Sequence, residues 1–278
     1  MTASATTPPR FGAVAAPAID AVVFRPCYDC PMATGREPAP AEPAPERVVH
    51  QGDGLAFLRD TPLTADCAII TSLPDHSELP ALGFAGWRQW FIDTVALCCR
   101  SVADDAVAIF YQTDVKHDGR WVDKGHLVLC GADAAGSHAL WHKIVCRVPA
   151  GTTTFGRPAY AHLLCVSRGL RLAPGNSTPD VLPALGAMSW SRAMGSAACD
   201  AAVRFLRSAT ACRTVVDPFC GLGSVLAAAN AHGLAAVGVE LSRRRARRAR
   251  TLRAPGAEAA PAGRDASEPD EPDEPDGS

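Results

Sequence analysis

Residues 213–242, RTVVDPFCGLGSVLAAANAHGLAAVGVELS, restrict what this chain can fold into more than any other stretch. An apolar strand, Thr214 to Val216, delivers Asp217. Gly221 and Gly223 then allow a tight turn and a close backbone approach that a bulky side chain would block, and Ser224 opens an alanine-rich helix. After Gly233 a second strand, AAVGVE, ends in Glu240, 17 residues beyond Gly223. A carboxylate at that place is suited to accept hydrogen bonds from the two hydroxyls of a ribose. The physical reading is a strand–turn–helix–strand unit that holds a nucleoside-type cofactor.

The turn itself narrows the choice. A dinucleotide site uses G-x-G-x-x-G, so that a pyrophosphate rests on the helix N-terminus. Here the sequence is D-P-F-C-G-L-G-S, with an acid ahead of the glycines. That acid repels a pyrophosphate and suits the ammonium of an amino-acid moiety, which implies S-adenosyl-L-methionine. The pattern resembles the D-P-F-x-G-x-G-[ST] motif of the amino-methyltransferases that act on DNA bases.

Upstream, strand-like and helix-like segments alternate, the mark of an α/β fold with a mostly parallel sheet. RVVHQGD (47–53) reads as a strand followed by the short helix GLAFLRD, and DCAIITS (66–72) as the next strand. GWRQWFIDTVALCCRSV (86–102) has apolar residues at helical spacing, and AVAIFYQT (106–113) is a buried-type strand. KGHLVLCGADAAG can be a helix, ALWHKIVCRV and YAHLLCVSRG two strands, 171–193 a loop, and GSAACDAAVRFLRSA (195–209) a helix. Residues 1–46 and 255–278 are Pro/Ala-rich or Pro/acid-rich with little periodicity apart from AVVF at 21–24, and are expected to be mobile ends. The folded domain is then 47–254.

Charge is unevenly spread. The formal net charge is −2, but 255–278 holds eight acids against Arg264 alone, a net −7, which leaves +5 for the rest. Seven arginines crowd between Arg243 and Arg253. They permit phosphate contacts and equally suit a solvated helix face. Most of the 11 cysteines lie in apolar runs, where a reduced thiol behaves as a small hydrophobe, so the compartment is read as reducing and intracellular, with the cytoplasm first. Only Cys27 and Cys30 have C-x-x-C spacing, and no second pair completes a zinc site, so no metal is assigned. No run approaches the roughly 18 apolar residues of a membrane span. The Ala/Thr/Pro-rich, acid-free start leaves an organellar presequence open.

The order of segments extends the resemblance. In the permuted, beta-type members of the amino-methyltransferase family the catalytic loop lies near the N-terminus and the cofactor turn near the C-terminus, as here. The resemblance implies a Rossmann-like class I methyltransferase fold with a mostly parallel doubly wound sheet in circularly permuted order. It implies cofactor contacts from Asp53, Thr71, Asp217, Pro218, Phe219, Gly221, Gly223, Ser224, Glu240 and Leu241, with Asp53 toward the adenine. AIITSLPD falls where the family has its [DNS]-P-P-[YFW] loop, so Ser72, Leu73, Pro74 and Asp75 become the catalytic positions.

In that loop the polar residue and the next carbonyl hold the two N–H groups of a base amine, and the final aromatic stacks on the flipped base. Ser72 keeps the polar position and Leu73 its carbonyl, but Asp75 replaces the aromatic. Three roles for Asp75 stay open. It acts as acceptor or general base, it caps the following turn while Tyr160, Trp141 or Phe155 stacks on the substrate, or the loop has lost catalysis. His76 and Glu78 read as loop polar groups. The segment 170–193 is small for reading base edges, which makes a folded RNA, a single strand or a protein partner for target recognition attractive. A partner-binding protein without catalysis and a methyltransferase for a protein or small molecule are the rival readings.

Overall fold

The computed structural model describes residues 45–254 apart from 176, 191 and 192. Cys27, Cys30, the 21–24 segment and the acidic stretch 255–278 lie outside the described residues. The expected α/β architecture is present. An eight-stranded sheet runs in the order β1 (Arg47–Gln51), β10 (Ala235–Glu240), β9 (Thr214–Asp217), β2 (Cys67–Thr71), β3 (Ala108–Gln112), β7 (Tyr160–Ser167), β6 (His138–Cys146), β8 (Val181–Leu182). The first five are mutually parallel, β7 runs antiparallel to both β3 and β6, and β8 is parallel to β6.

Direction of travel places the helices. The steps β1–α1 (Gly54–Asp60)–β2 and β2–α2 (Gly83–Ser101)–β3 move one way across the sheet, whereas β9–α5 (Ser224–Ala231)–β10 moves the other. Right-handed crossovers therefore put α1 and α2 on one face and α5 on the opposite one. α1 packs on α2, α2 on α3 (Lys124–Ala134), and α4 (Ser196–Ala209) on α5. α6 (Arg243–Thr251) lies against β1 and β10. Being covered on both faces, β2 and β3 are buried at every residue and read as continuous apolar runs rather than alternating ones. Trp87, Phe91, Val95 and Cys98 form the buried stripe of α2, at the spacing expected of a helix lying on a sheet.

Two features escaped the sequence reading. VKHDGRWV folds as a hairpin of β4 (Val115–His117) and β5 (Arg120–Val122), whose turn residues Asp118 and Gly119 both have positive φ (48° and 73°). Asp-Gly between short apolar-polar alternations is the signal that would have found it. The expected loop at 171–193 contributes β8, the edge strand. Ile144 N–H donates to Asp180 O (2.8 Å) and Lys143 Nζ to the carbonyls of Thr178 and Pro179 (3.2 and 2.8 Å), so this segment seals the sheet edge instead of forming a separate module.

Arg168 ties the end of β7 to the end of α2. Its guanidinium donates to Asp104 Oδ1 (2.7 Å) and to the backbone carbonyls of Cys99 (2.6 Å) and Val102 (2.5 Å), groups left over where a helix ends. Arg168→Ala is expected to lower the urea midpoint by an amount equivalent to about 2 kcal/mol. Arg168→Lys should recover only part of it, since one ammonium cannot reproduce the planar fork.

Candidate active site

The direction of the crossovers reverses between β9 and β2, and in open α/β sheets such a switch point opens a crevice at the strands' C-terminal ends. Asp217 ends β9 and is 3% exposed. Thr71, at the end of β2, donates its hydroxyl to Asp217 Oδ1 at 2.7 Å, and Phe219 N–H donates to the same oxygen at 3.1 Å. Burial pushes the Asp217 carboxyl up to about 7. The two hydrogen bonds oppose that rise and the nearby Glu240 adds to it.

The turn after Asp217 bends as its glycines require. Gly221 and Gly223 have φ of 55° and 86°, the left-handed region, and a Cβ on Gly223 would stand 3.0 Å from Ala249 Cα of α6. Glu240, 8% exposed, ends β10, and its Oε1 accepts from Ser242 N–H (2.8 Å) and from Arg245 Nε (3.0 Å) and Nη2 (2.8 Å). Part of the arginine stretch is thus structural. Arg245 holds Glu240, and Arg250 donates to Val49 O (2.8 Å). Asp53 caps α1, with Oδ1 accepting from Leu55 and Ala56 N–H (2.7 and 2.9 Å).

These groups face a cavity of about 250 Å³. Of the residues expected at the cofactor, Asp53, Asp217, Phe219, Gly221, Ser224, Glu240 and Leu241 line it. Thr71 is fully buried behind Asp217, while Pro218 and Gly223 shape the turn without reaching the wall. Ser72, Leu73 and Pro74 line the same cavity. Sequence spacing did not point to Trp90 from α2, nor to Trp190 and Met194 from the long segment before α4, which complete the wall. Ser189 in that segment is bonded to Ser224 through their hydroxyls (2.7 Å), which closes it over the start of α5.

Asp75 stands apart from this cavity. Its Oδ1 is paired with Lys124 Nζ, its N–H donates to Glu78 Oε1 (3.1 Å), and its carbonyl accepts from Glu78 N–H (2.9 Å), so it opens the 3-10 turn His76–Glu78. None of Tyr160, Trp141 and Phe155 lines this cavity. Phe155 is 95% exposed, Trp141 packs edge-on against Phe205, and Tyr160 donates its hydroxyl to Asp114 Oδ2 (3.2 Å). His76 is a packing group, set among Phe84, Trp87 and His117 with ring centroids 5.3–5.9 Å away. It pins the loop to α2 and to the hairpin. The nine cysteines among the described residues are unpaired, and burial pushes the thiols of Cys98, Cys99, Cys165 and Cys199 up. Among the described residues no helix is long and apolar enough to cross a membrane.

No protein-family model matches the sequence, and no curated protein shows sequence similarity to it. Solved structures do match the fold. A putative DNA modification methylase from Thermus thermophilus, complexed with S-adenosyl-L-methionine, superposes with a TM-score of 0.55 at 20% identity over 73% of this chain and 91% of that one. The cytosine-N4-specific PvuII DNA methyltransferase gives 0.58 at 13% identity over 75% and 89%. The M1.HpyAVI–SAM complex gives 0.50 at 14% over 73% and 97%. The fold is that of a class I methyltransferase.

Proposed function

We propose that the chain is an S-adenosylmethionine-dependent methyltransferase that methylates a nitrogen of a nucleic-acid base. One observation carries this reading. The Thr71–Asp217 bond joins the acid of the glycine turn to the strand that leads into the loop, so that Ser72, Leu73 and Pro74 face one cavity with Asp217, Phe219 and Glu240.

The donor set fits the cofactor. A buried carboxylate at the glycine turn suits an ammonium, a second carboxylate at the end of the neighbouring strand suits a ribose diol, and Phe219, Val239 and Leu241 give the apolar surface an adenine needs. When bound, S-adenosylmethionine supplies a methyl group on a sulfonium, open to in-line displacement. The protein's part is to hold an acceptor nitrogen in line. Ser72 and Leu73 line the cavity, and the Ser72 hydroxyl or the Leu73 carbonyl would accept one N–H of an exocyclic amine, helping to localise its lone pair. The segment order supports a circularly permuted chain, with the loop strand β2 before the cofactor strand β9.

The likeness to DNA methyltransferases puts DNA first, and the short 170–193 segment, engaged in sealing the sheet and the cavity, favours a protein partner for target choice. RNA is the second substrate. The test has two parts: calorimetric titration with S-adenosylmethionine, and tritiated methyl transfer into DNA, tRNA and rRNA from the same cells, with mass spectrometry of nucleosides from a deletion strain. Micromolar cofactor binding, labelled nucleic acid and a methylated nucleoside missing from the deletion strain are expected. Cofactor binding with label only in a protein extract would overturn the substrate class, and no cofactor binding would overturn the enzyme.

A further inference from the structure

A second cavity, of about 80 Å³, adjoins the first. The two share Ser72, Leu73, Glu78 and Ala193, so they meet at the loop where methyl transfer is proposed to occur. The wall of the smaller one is polar. Asp75, Thr113, Asp114, Lys124 and Arg147 line it together with Tyr111. It touches the loop through Ser72, Leu73 and Asp75, and neither Asp217 nor Glu240 belongs to its wall.

Lys124 dominates that wall. Its side chain is 3% exposed, its Nζ is bonded to Asp75 Oδ1, and it sits 5.6 Å from the centroid of the Phe91 ring. Its backbone N–H donates to Asp114 Oδ1 at 2.8 Å. Asp114 is itself fixed by Trp121 Nε1 (3.1 Å), Tyr160 OH (3.2 Å) and a bond of 3.0 Å to His162 Nε2, and His162 Nδ1 is 2.9 Å from His142 Nε2. Burial alone would raise the Asp114 carboxyl, but these bonds, that of His162 first, hold it below its ordinary value. Lys124 is therefore held at its backbone by Asp114 and at its ammonium by Asp75.

A buried ammonium beside a carboxylate is costly to assemble, and a mere turn does not require one. What the pair offers is chemistry. The carboxylate only accepts hydrogen bonds and the ammonium only donates them, from adjacent points on one wall. We propose that Asp75 and Lys124 together read the edge of the methyl-accepting base. Asp75 accepts an N–H of the exocyclic amine, and Lys124 donates to the neighbouring ring nitrogen. Adenine (N6 and N1) and cytosine (N4 and N3) present that donor–acceptor pair once flipped out of the helix. Recognition by the edge replaces stacking on the face, which explains why the loop lacks its aromatic. Arg147, on the same wall, provides a cation for the flanking phosphate and favours a nucleotide over a carboxamide, the other group with an adjacent donor and acceptor.

The inference rests on the methyltransferase reading, and the test separates the two. Lys124→Met, Lys124→Arg and Asp75→Asn are assayed as full chains with tritiated S-adenosylmethionine and the DNA or RNA fraction that the wild type labels. Lys124→Met should lower kcat/KM for nucleic acid by about 100-fold and Asp75→Asn by about tenfold. Cofactor Kd should stay within about twofold of wild type, because neither residue lines the first cavity. Lys124→Arg should recover part of the loss, as a purely packing role would not allow. Should Lys124→Met be poorly folded, the partly exposed Asp75→Asn decides alone, and wild-type kcat/KM in it overturns the proposal. A wild type that labels only protein overturns the parent reading and this one together. A wild type that labels nucleic acid, with folded variants that do so equally, overturns only the edge-reading pair.

Discussion

Asp217→Asn is expected to weaken cofactor binding severely and at the same time make the empty protein more stable at pH 8. The carboxyl is buried beside Glu240 and has its folded-state value raised from 3.8 to about 7. A raised folded value means that the stabilising contribution is complete below pH 3.8, is lost as pH climbs toward 7, and changes no further above it. Raising the carboxyl from 3.8 to about 7 corresponds to at most roughly 4 kcal/mol. Asparagine keeps an oxygen for the Thr71 hydroxyl and the Phe219 N–H and needs no ionisation. Its Tm should exceed that of the wild type at pH 8, with the gain shrinking to nothing by about pH 4.

The same carboxylate, when ionised, is the proposed partner of the cofactor's ammonium. Removing the charge should weaken S-adenosylmethionine binding by about 100-fold or more. For the wild type, the Kd should be flat above pH 7 and weaken by about tenfold for each pH unit below it, because Asp217 must first give up its proton. Calorimetric titration between about pH 5.5 and 8.5 measures this. A constant Kd across that range would falsify the role given to Asp217.

Gly54→Ala is the second large effect. A Cβ at position 54 would stand 2.0 Å from Pro218 O and 2.9 Å from Pro218 C, both backbone atoms of the glycine turn. Neither element can rotate a side chain away, so α1 and the turn must separate. Alanine gains about 1 kcal/mol in helix propensity, but the overlap should cost about 3 kcal/mol or more. The expected net is a Tm lower by several degrees with cofactor affinity reduced at least tenfold, since the displaced residue adjoins Asp217 and Phe219. Gly86→Ala is the control. That position in α2 meets only Leu82 Cβ, at 3.6 Å, so the substitution should be neutral or stabilising by up to about 1 kcal/mol. Equal destabilisation in both variants would refute the close approach of the two turns.

The glycine turn was legible because its chemistry is local. Positive φ at Gly221 and Gly223, an acid at the end of one strand and an acid at the end of the next are written in consecutive residues. Runs such as AIIT and AIFY announce buried strands through composition, and α2 through its spacing, although the helix starts at Gly83 rather than the expected 86. The β4–β5 hairpin was missed where Asp118-Gly119 should have been weighed as a turn, a local signal overlooked. The role of the 171–193 segment had no such signal. Its course depends on an open sheet edge at β6, which exists only after β6 and β7 have paired.

By itself, then, the sequence determined the α/β class and pointed to a nucleoside-type cofactor and to the loop proposed to face it. Only the tertiary structure decided how that loop is furnished. Thr71 reaches Asp217 across 146 residues and Lys124 reaches Asp75 across 49, separations with no periodicity to betray them. Asp75 changed most in meaning. In the sequence it is an acid where an aromatic is expected, and in the fold it is the partner of a buried ammonium. The reason is physical. Turn and strand preferences act between neighbours along the chain, whereas strand order and register set which distant side chains meet, and both are fixed only when the whole sheet has formed.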